Sequence, residues 1–176
     1  MEITNKIEAE RKEKDSFFKM HPQSPIPYEK RNDFTALNYY PIKPEFRFIL
    51  ELREHKDKER IEVEDNKGNK QEFLRWEEFR FEVDGKQIIL QAYKANPNEE
   101  RLWVPFRDST NEKETYGAGR YIDLESSRDK EDDKWILDFN LAYNPFCAYS
   151  ENYVCPFIPP ENWLPVKVEA GEKKYR

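Results

Sequence analysis

Residues 79–92 read FRFEVDGKQIILQA, and this stretch decides the fold class. Phe79, Phe81 and Val83 alternate with charged residues, and a similar alternation resumes after Asp84-Gly85. An Asp-Gly pair between two alternating runs is the strongest short-range signal of a β-hairpin, because both central residues of its turn need a positive φ. The stretch therefore predicts two antiparallel strands joined by a tight turn, with the three apolar side chains on one face.

The same period of two extends outward on both sides. Residues 46–53 alternate after two prolines, and runs at 60–64 and from 73 onward flank a turn-like segment, 65–69, that predicts a second hairpin; His55, among charged neighbours, is interpreted as an exposed turn. Further short strands are predicted at Leu102–Phe106, Tyr121–Leu124 and Trp135–Phe139, the last two separated by a charged connection at 126–134. Roughly eight strands in succession predict a mainly β fold, either an antiparallel β-barrel or a sandwich.

The two ends of the chain follow other patterns. Residues 4–18 place apolar side chains on one helical face without Gly or Pro, and three prolines then end this helix near His21. From Asn140 to Pro165 the alternation stops, and such a long irregular segment is usually either functional or packed as a cover. We expect a single domain, 1–176, with a helical segment at 1–21, a β core at 39–139 and an irregular cover and tail at 140–176.

Composition restricts the partners. The 176 residues are 38% charged and 37% hydrophobic, but aromatic residues make up 15%, which is enough apolar area for a core. A net charge of -6 excludes the basic excess that drives phosphate-backbone binding, so no nucleic acid is expected. No segment has the roughly eighteen consecutive apolar residues of a membrane span, and residues 1–6 lack the apolar stretch of a secretion signal. We therefore expect a cytoplasmic protein without a membrane partner; a homo-oligomer stays open.

The densest mixture of polar and aromatic side chains lies between residues 103 and 149. Arg107 and Arg120 offer planar paired donors that suit a carboxylate or a phosphate, so we predict a site for a small anionic or polar ligand. In this site tyrosines would pack the remainder of the ligand, and Asp138, Asn140 and Asn144 would orient them. The candidate ligand-binding residues are Arg107, Thr115, Tyr116, Arg120, Tyr121, Asp138, Asn140, Tyr143, Asn144 and Tyr149. Alternatively, these groups satisfy the polar atoms of a covering loop.

The cysteines and histidines are few. Cys147 and Cys155 could join His21 and His55 in a zinc site, but their spacing matches no familiar pair of ligands, so no metal is predicted. The cysteines are then either a thiol pair or a disulfide. A Cys/His nucleophile through His21 competes with a loop-packing or capping role for that ring, and the sequence does not determine whether a cofactor is used.

Glycines at 117 and 119 lack the Lys-Ser/Thr and the strand-to-helix context of a phosphate-binding loop. They are expected to relieve crowding in a bend or bulge.

Several linked motifs resemble the bacterial and archaeal family designated domain of unknown function 1684. They are 17–25 (FFKMHPQSP), 105–110 (PFRDST), 115–121 (TYGAGRY), 137–145 (LDFNLAYNP), 147–149 (CAY), Tyr153, 155–156 (CP), 159–162 (PPEN) and 170–172 (AGE). The resemblance covers nearly the whole chain. Because the family has no settled activity, it implies relatives but no reaction, cofactor or substrate.

Two functional hypotheses follow. The first is a small-molecule-binding β domain, whether a binding protein or an enzyme, with its site between residues 103–120 and the cover at 140–162. The second is an interaction module that uses the aromatic, proline-rich C-terminal segment. A pocket requires Arg and Tyr side chains around a cavity, whereas an interface requires exposed Trp and Phe.

Overall fold

A computed structural model describes residues 2–175 and contains, within them, eight strands in two antiparallel sheets. The helices and strands are α1 (Glu2–Met20), β1 (Arg47–Leu50), β2 (Arg53–Glu64), β3 (Lys70–Val83), β4 (Lys86–Lys94), β5 (Leu102–Phe106), β6 (Arg120–Leu124), α2 (Ser126–Asp129), β7 (Lys130–Glu131) and β8 (Lys134–Asp138). One sheet has the order β2-β3-β4-β5-β6 and the other β1-β8-β7. Both sheets are open, so the mainly β prediction is confirmed in its sandwich form and not as a barrel. No helix among the described residues is long and apolar enough to cross a membrane.

The central hairpin forms as predicted. Val83 pairs with Lys86 across the two-residue turn, and the φ angles of Asp84 and Gly85 are 51° and 75°. Positive φ at both positions matches the twist of the flanking strands. Phe79 is completely buried on the apolar face of this hairpin. The second predicted hairpin is also confirmed, since β2 and β3 pair up to the turn at 65–69.

The main core lies between the two sheets. Phe48 of β1 packs on Phe81 of β3, with ring centroids 4.8 Å apart. Phe139, directly after β8, lies with its ring centroid 5.7 Å from that of Phe81 and, in a T-shaped pair, 5.1 Å from that of Phe106. Aromatic pairs at these distances add to the energy of simple burial. The small sheet therefore covers the apolar face of the large one.

Two local predictions are wrong. The strand predicted over 46–53 ends at Leu50, and β1 pairs with β8 in the small sheet, while the chain enters the large sheet as β2 at Arg53. His55 lies within β2 rather than in an exposed turn; it is half-buried, with Nε2 2.7 Å from the Gln91 side-chain oxygen. Alternation reports which face is buried but not which sheet a strand joins, so the crossing at residues 51–52 has no local signal.

Helix α1 ends in a turn that the prolines impose. Ser24 Oγ donates to the Phe18 carbonyl at 2.5 Å and accepts the Ile26 N–H at 3.2 Å, which fixes the chain reversal. The exposed His21 ring stacks on Phe17 and accepts the Gln23 N–H at Nδ1 (3.0 Å). In this structure His21 therefore packs the loop.

The large sheet has a gap that the C-terminal segment fills. Strands β4 and β5 pair directly only at Tyr93 and Trp103. Beside that point, the fully buried Asn162 side chain accepts the Gln91 N–H at 2.9 Å and donates to the carbonyls of Gln91 (2.9 Å) and Pro105 (2.7 Å). Pro105 has no backbone N–H and therefore cannot donate a hydrogen bond to the neighbouring strand. The amide of Asn162 thus replaces the missing backbone pairing.

Gly119 enters β6 at φ 101°, where a Cβ would lie 2.1 Å from Ile158 Cδ1 and 2.7 Å from the Phe106 carbonyl oxygen. Only glycine avoids both the strain and the clash. The prediction that a glycine relieves crowding in this bend is confirmed.

Candidate functional site

Two small cavities lie side by side beneath helix α1, and we call them together the α1 cleft. Each has a volume of about 110 Å³. Ile7, Glu10 and Leu141 line both of them. The first cavity also brings Arg11 and Lys14 of α1 opposite polar side chains from three distant segments, namely Tyr39, Asn140, Tyr143 and Glu172. This is a mixed polar and apolar setting in which a small ligand could be oriented.

Arg11 enters the cleft as a half-buried cation. Its Nη1 and Nη2 donate to the carbonyls of Tyr40 (3.0 Å) and Asn140 (3.3 Å), and its Cζ lies 4.3 Å from the centroid of the Tyr39 ring. Among residues 2–175, no carboxylate lies within ion-pair distance of Arg11, and the buried Nε has no acceptor. Burial lowers the pKa of Arg11, although nearby Tyr39 and Glu172 oppose the shift.

Lys14, by contrast, is already neutralised. Its Nζ lies 3.1 Å from Oε2 of Glu172, a carboxylate that is 1% exposed. Glu172 also accepts the Asn144 N–H at 2.7 Å and the Tyr149 hydroxyl at 2.9 Å. Burial and this carboxylate raise the pKa of Tyr149, which keeps the phenol protonated as a donor. Two of the predicted site residues therefore hold Glu172 from behind the cleft.

Two tyrosines of the cleft differ in their partners. The Tyr39 hydroxyl is buried and has no hydrogen-bond partner within the described residues. Burial raises the pKa of Tyr39, so the hydroxyl is neutral and free to donate. The Tyr143 hydroxyl instead donates to Asp123, whose pKa burial raises.

Asp138 and Asn140 shape one wall of the cleft. Asp138 Oδ1 accepts the Asn140 N–H and its side-chain amide, both at 2.9 Å. Asn140 in turn exchanges two bonds with the Lys43 backbone, at 2.9 and 2.8 Å. These contacts aim the Asn140 carbonyl at Arg11. Of the predicted site residues, Asp138, Asn140 and Tyr143 therefore come together at the cleft.

Arg120 lies elsewhere and is fully buried. Its guanidinium donates to the carbonyls of Val168 (2.8 Å), Ala170 and Glu172 (3.2 Å), and Nη2 lies 3.4 Å from Oδ1 of Asp108. The planar fork that suggested an anion site is thus occupied by carbonyls of the C-terminal segment. Arg120 has a structural role in this fold and does not share a solvent-connected cavity with Arg107.

Arg107 is half-buried, and its Cζ lies 4.5 Å from the centroid of the exposed Trp163 ring. Thr115 is buried, with Oγ1 2.9 Å from Oγ1 of Thr110. Both residues lie outside the α1 cleft.

Tyr116 and Tyr121 belong to a different surface. The Tyr121 hydroxyl donates to the Pro156 carbonyl at 2.6 Å, and the Tyr116 hydroxyl to Cys147 Sγ at 3.6 Å. They help to hold the irregular segment that carries both cysteines.

The sequence reasoning missed Arg11, Tyr39 and Glu172. One signal was available, because Arg11 and Lys14 are four and seven residues after the buried Ile7 and therefore share its helical face. Charged residues at apolar-face positions indicate either a paired charge or a site.

The fold and the cleft define a mainly β, two-sheet protein in which helix α1 covers a cleft of mixed polar and apolar lining. The chain belongs to the family described as Protein of unknown function (DUF1684), whose pattern matches residues 32–173. The resemblance seen in the motifs is thereby confirmed.

The solved structures include a similar protein of Haloarcula marismortui, an uncharacterized protein studied by solution NMR. It is 40% identical, with a TM-score of 0.73 over 96% of this chain and 92% of that one. No curated protein matches the chain.

Proposed function

We propose that the α1 cleft binds a small molecule with one anionic group, a carboxylate or a phosphate. The observation that carries the proposal is a pair of buried donors without acceptors among the described residues, Nε of Arg11 and the hydroxyl of Tyr39. The two side chains are neighbours, with Arg11 Cζ 4.3 Å from the centroid of the Tyr39 ring, and no carboxylate among residues 2–175 pairs with Arg11.

Electrostatics favour an anion at this position. A cation removed from water is costly unless it is paired, and carbonyl dipoles compensate it only in part. Lys14 attracts a further anion less strongly than Arg11 does, because the Glu172 carboxylate already neutralises its charge. Arg11 therefore supplies the positive charge that would attract a ligand, and its guanidinium suits planar or tetrahedral anions.

The size and walls of the cleft limit the remainder of the ligand. A cavity of about 110 Å³ holds several water molecules or one small anionic group. Ile7, Leu141 and Ala142 supply apolar contacts. The ligand class is therefore a small organic acid or phosphate rather than a nucleotide-sized molecule.

The test measures binding of inorganic phosphate and of a series of small monocarboxylates by calorimetry and thermal shift. A bound probe at 100 times its Kd should stabilise the protein by about 2.7 kcal/mol. Tyr39→Phe should weaken binding about tenfold without lowering the unliganded Tm, because the hydroxyl has no partner to lose.

Tyr40→Phe is the matched control, since this neighbouring tyrosine packs under Lys173 and does not line the cleft. Absence of binding by every probe, or equal affinities of the two variants, would contradict the proposal.

A second candidate function is self-association through the C-terminal segment. Phe157 and Trp163 are 46% and 51% exposed there, and exposed aromatic residues are typical of interfaces. Trp163 is already engaged by Arg107, so Phe157→Ser is the informative variant. Sedimentation velocity should show a dimer that this substitution dissociates; a concentration-independent monomer would refute the candidate.

A further inference from the structure

The two cysteines meet on the surface that Tyr116 and Tyr121 support. Cys147 lies in a 3-10 turn, Phe146–Ala148, and its N–H donates to Cys155 Sγ at 3.4 Å. The Tyr116 hydroxyl donates to Cys147 Sγ at 3.6 Å. Two sulfur atoms and a phenol therefore converge, and both cysteines are free thiols.

The two sulfurs differ in access. Cys147 is half-buried and lines an open groove of about 570 Å³, together with Lys30 and Tyr149 among others. Cys155 is 8% exposed and is clamped to the turn after β2, where its N–H donates to Asn66 Oδ1 (2.9 Å) and its carbonyl accepts the Asn66 N–H (3.2 Å). One sulfur thus meets solvent, and the other is held behind it.

The surroundings of the two thiols also shift their pKa values in opposite directions. The neighbouring Cys155 thiol, aided by the hydrogen bond from Tyr116, lowers the pKa of Cys147 below its ordinary value. The same contact with Cys147, together with burial, raises the pKa of Cys155. The cysteine that lines the open groove is also the one whose sulfur accepts the phenol hydroxyl. A hydrogen bond donated to the sulfur favours the thiolate, and the thiolate is the reactive form of cysteine. No group of three or more His, Cys, Asp or Glu within residues 2–175 is arranged to hold a metal that would compete for these sulfurs.

The geometry points to a peroxide-reactive dithiol in which Cys147 is the attacking sulfur and Cys155 the resolving sulfur. The Cys147 thiolate attacks one oxygen of a hydroperoxide, the O–O bond breaks, and a sulfenic acid forms while the leaving hydroxide or alkoxide takes up the proton that Cys147 had released. Cys155 then attacks the Cys147 sulfur, the S–O bond breaks, and the departing hydroxide leaves as water with the Cys155 proton. With hydrogen peroxide, two thiols give one disulfide and two water molecules. Two molecules of a small thiol then reduce this disulfide to the two cysteines and are themselves joined in a disulfide.

The first experiment treats the full chain with hydrogen peroxide and counts thiols by mass spectrometry after alkylation under unfolding conditions. The wild type should lose both alkylation sites and regain them on reduction. Cys155→Ala should instead accumulate a dimedone adduct on Cys147, because the sulfenic acid has no resolving thiol. Cys147→Ala should leave Cys155 alkylatable at the same dose.

The second experiment tests the role of the phenol through the pH profile of iodoacetamide reaction at Cys147. Tyr116→Phe should raise the pH midpoint of the alkylation rate and slow the reaction several-fold at neutral pH, because the Cys147 thiolate loses its hydrogen-bond donor. Tyr153→Phe is the matched control, because its ring packs edge-on against Phe146 in the same loop. The inference is overturned if Cys147 reacts with peroxide no faster than free cysteine, or if Cys155→Ala traps no more dimedone than the wild type.

Discussion

Arg120→Lys tests whether the arginine of the 115–121 motif holds the fold. The Arg120 side chain is fully buried and donates to three carbonyls of the segment 168–172, with Asp108 beside it. Lysine keeps the charge but presents a single ammonium on a differently shaped stem, which cannot reach all of these acceptors at once.

The expected loss of stability comes from the hydrogen-bond acceptors that the substitution leaves unpaired. Removing one partner of a buried charged network costs about 3–5 kcal/mol, because the remaining acceptors are desolvated and unpaired. For a chain of 176 residues, each kcal/mol lowers Tm by about 2–4 °C. We therefore expect Tm to fall by about 6–20 °C.

Urea unfolding followed by tryptophan fluorescence measures the change in free energy of unfolding. Arg107→Lys is the matched control: its guanidinium is half-exposed over Trp163, and we expect a loss of about 1 kcal/mol or less. If the Arg120 and Arg107 variants lose equal stability, or if Arg120→Lys costs under about 1 kcal/mol, the carbonyl clamp is not what holds the C-terminal segment.

Two further predictions concern pH and the sheet gap. Burial, with the nearby charge of Glu54, raises the pKa of Glu77 to about 7, against about 4.3 in the unfolded chain. The contribution of Glu77 to the free energy of unfolding is therefore fully present below about pH 4.3 and is lost as the pH rises toward 7. For a fully buried carboxyl group the loss would be about 3–4 kcal/mol, and the partial exposure of Glu77 reduces it to about 1–2 kcal/mol. Glu77→Gln should remove the loss, so that the variant exceeds the wild type in urea unfolding at pH 8 and equals it at pH 4, whereas the exposed Glu82→Gln should follow the wild-type profile. Asn162→Ala leaves three buried backbone groups unpaired and should cost about 2–4 kcal/mol in thermal unfolding, against no measurable change for the exposed Asn98→Ala; a loss under about 1 kcal/mol would show that water replaces the amide.

The sequence predicts the local elements well because their signals are local. Both hairpins follow from alternation and turn residues within about twenty positions of one another. The partner of β1 could not be predicted in this way, because β8 lies almost ninety residues further along the chain. Which sheet a strand joins depends on packing across that separation.

The candidate site was harder to predict for a chemical reason. Arg120 carries the planar donors that suit an anion, but backbone carbonyls satisfy the same donors equally well. In the sequence, Arg11 and Lys14 look like ordinary exposed residues of a charged helix. Only the fold places the Tyr40 carbonyl against Arg11 and the Glu172 carboxylate against Lys14. Side-chain type identifies what a group can bind, whereas the fold decides what it does bind.

The contact between Lys14 and Glu172 joins two residues that are 158 positions apart in the chain. On the ribosome, the hairpins of the large sheet can pair as soon as they emerge, since their contacts are short in sequence. Helix α1 is synthesised earlier than any strand of this structure, yet the cluster around Phe18 is complete only when Phe146 and Tyr149 of the cover have been made. The α1 cleft can consequently be completed only after residue 172 has been made, and a nascent chain interrupted before that residue would carry hairpins of the large sheet but an incomplete cleft.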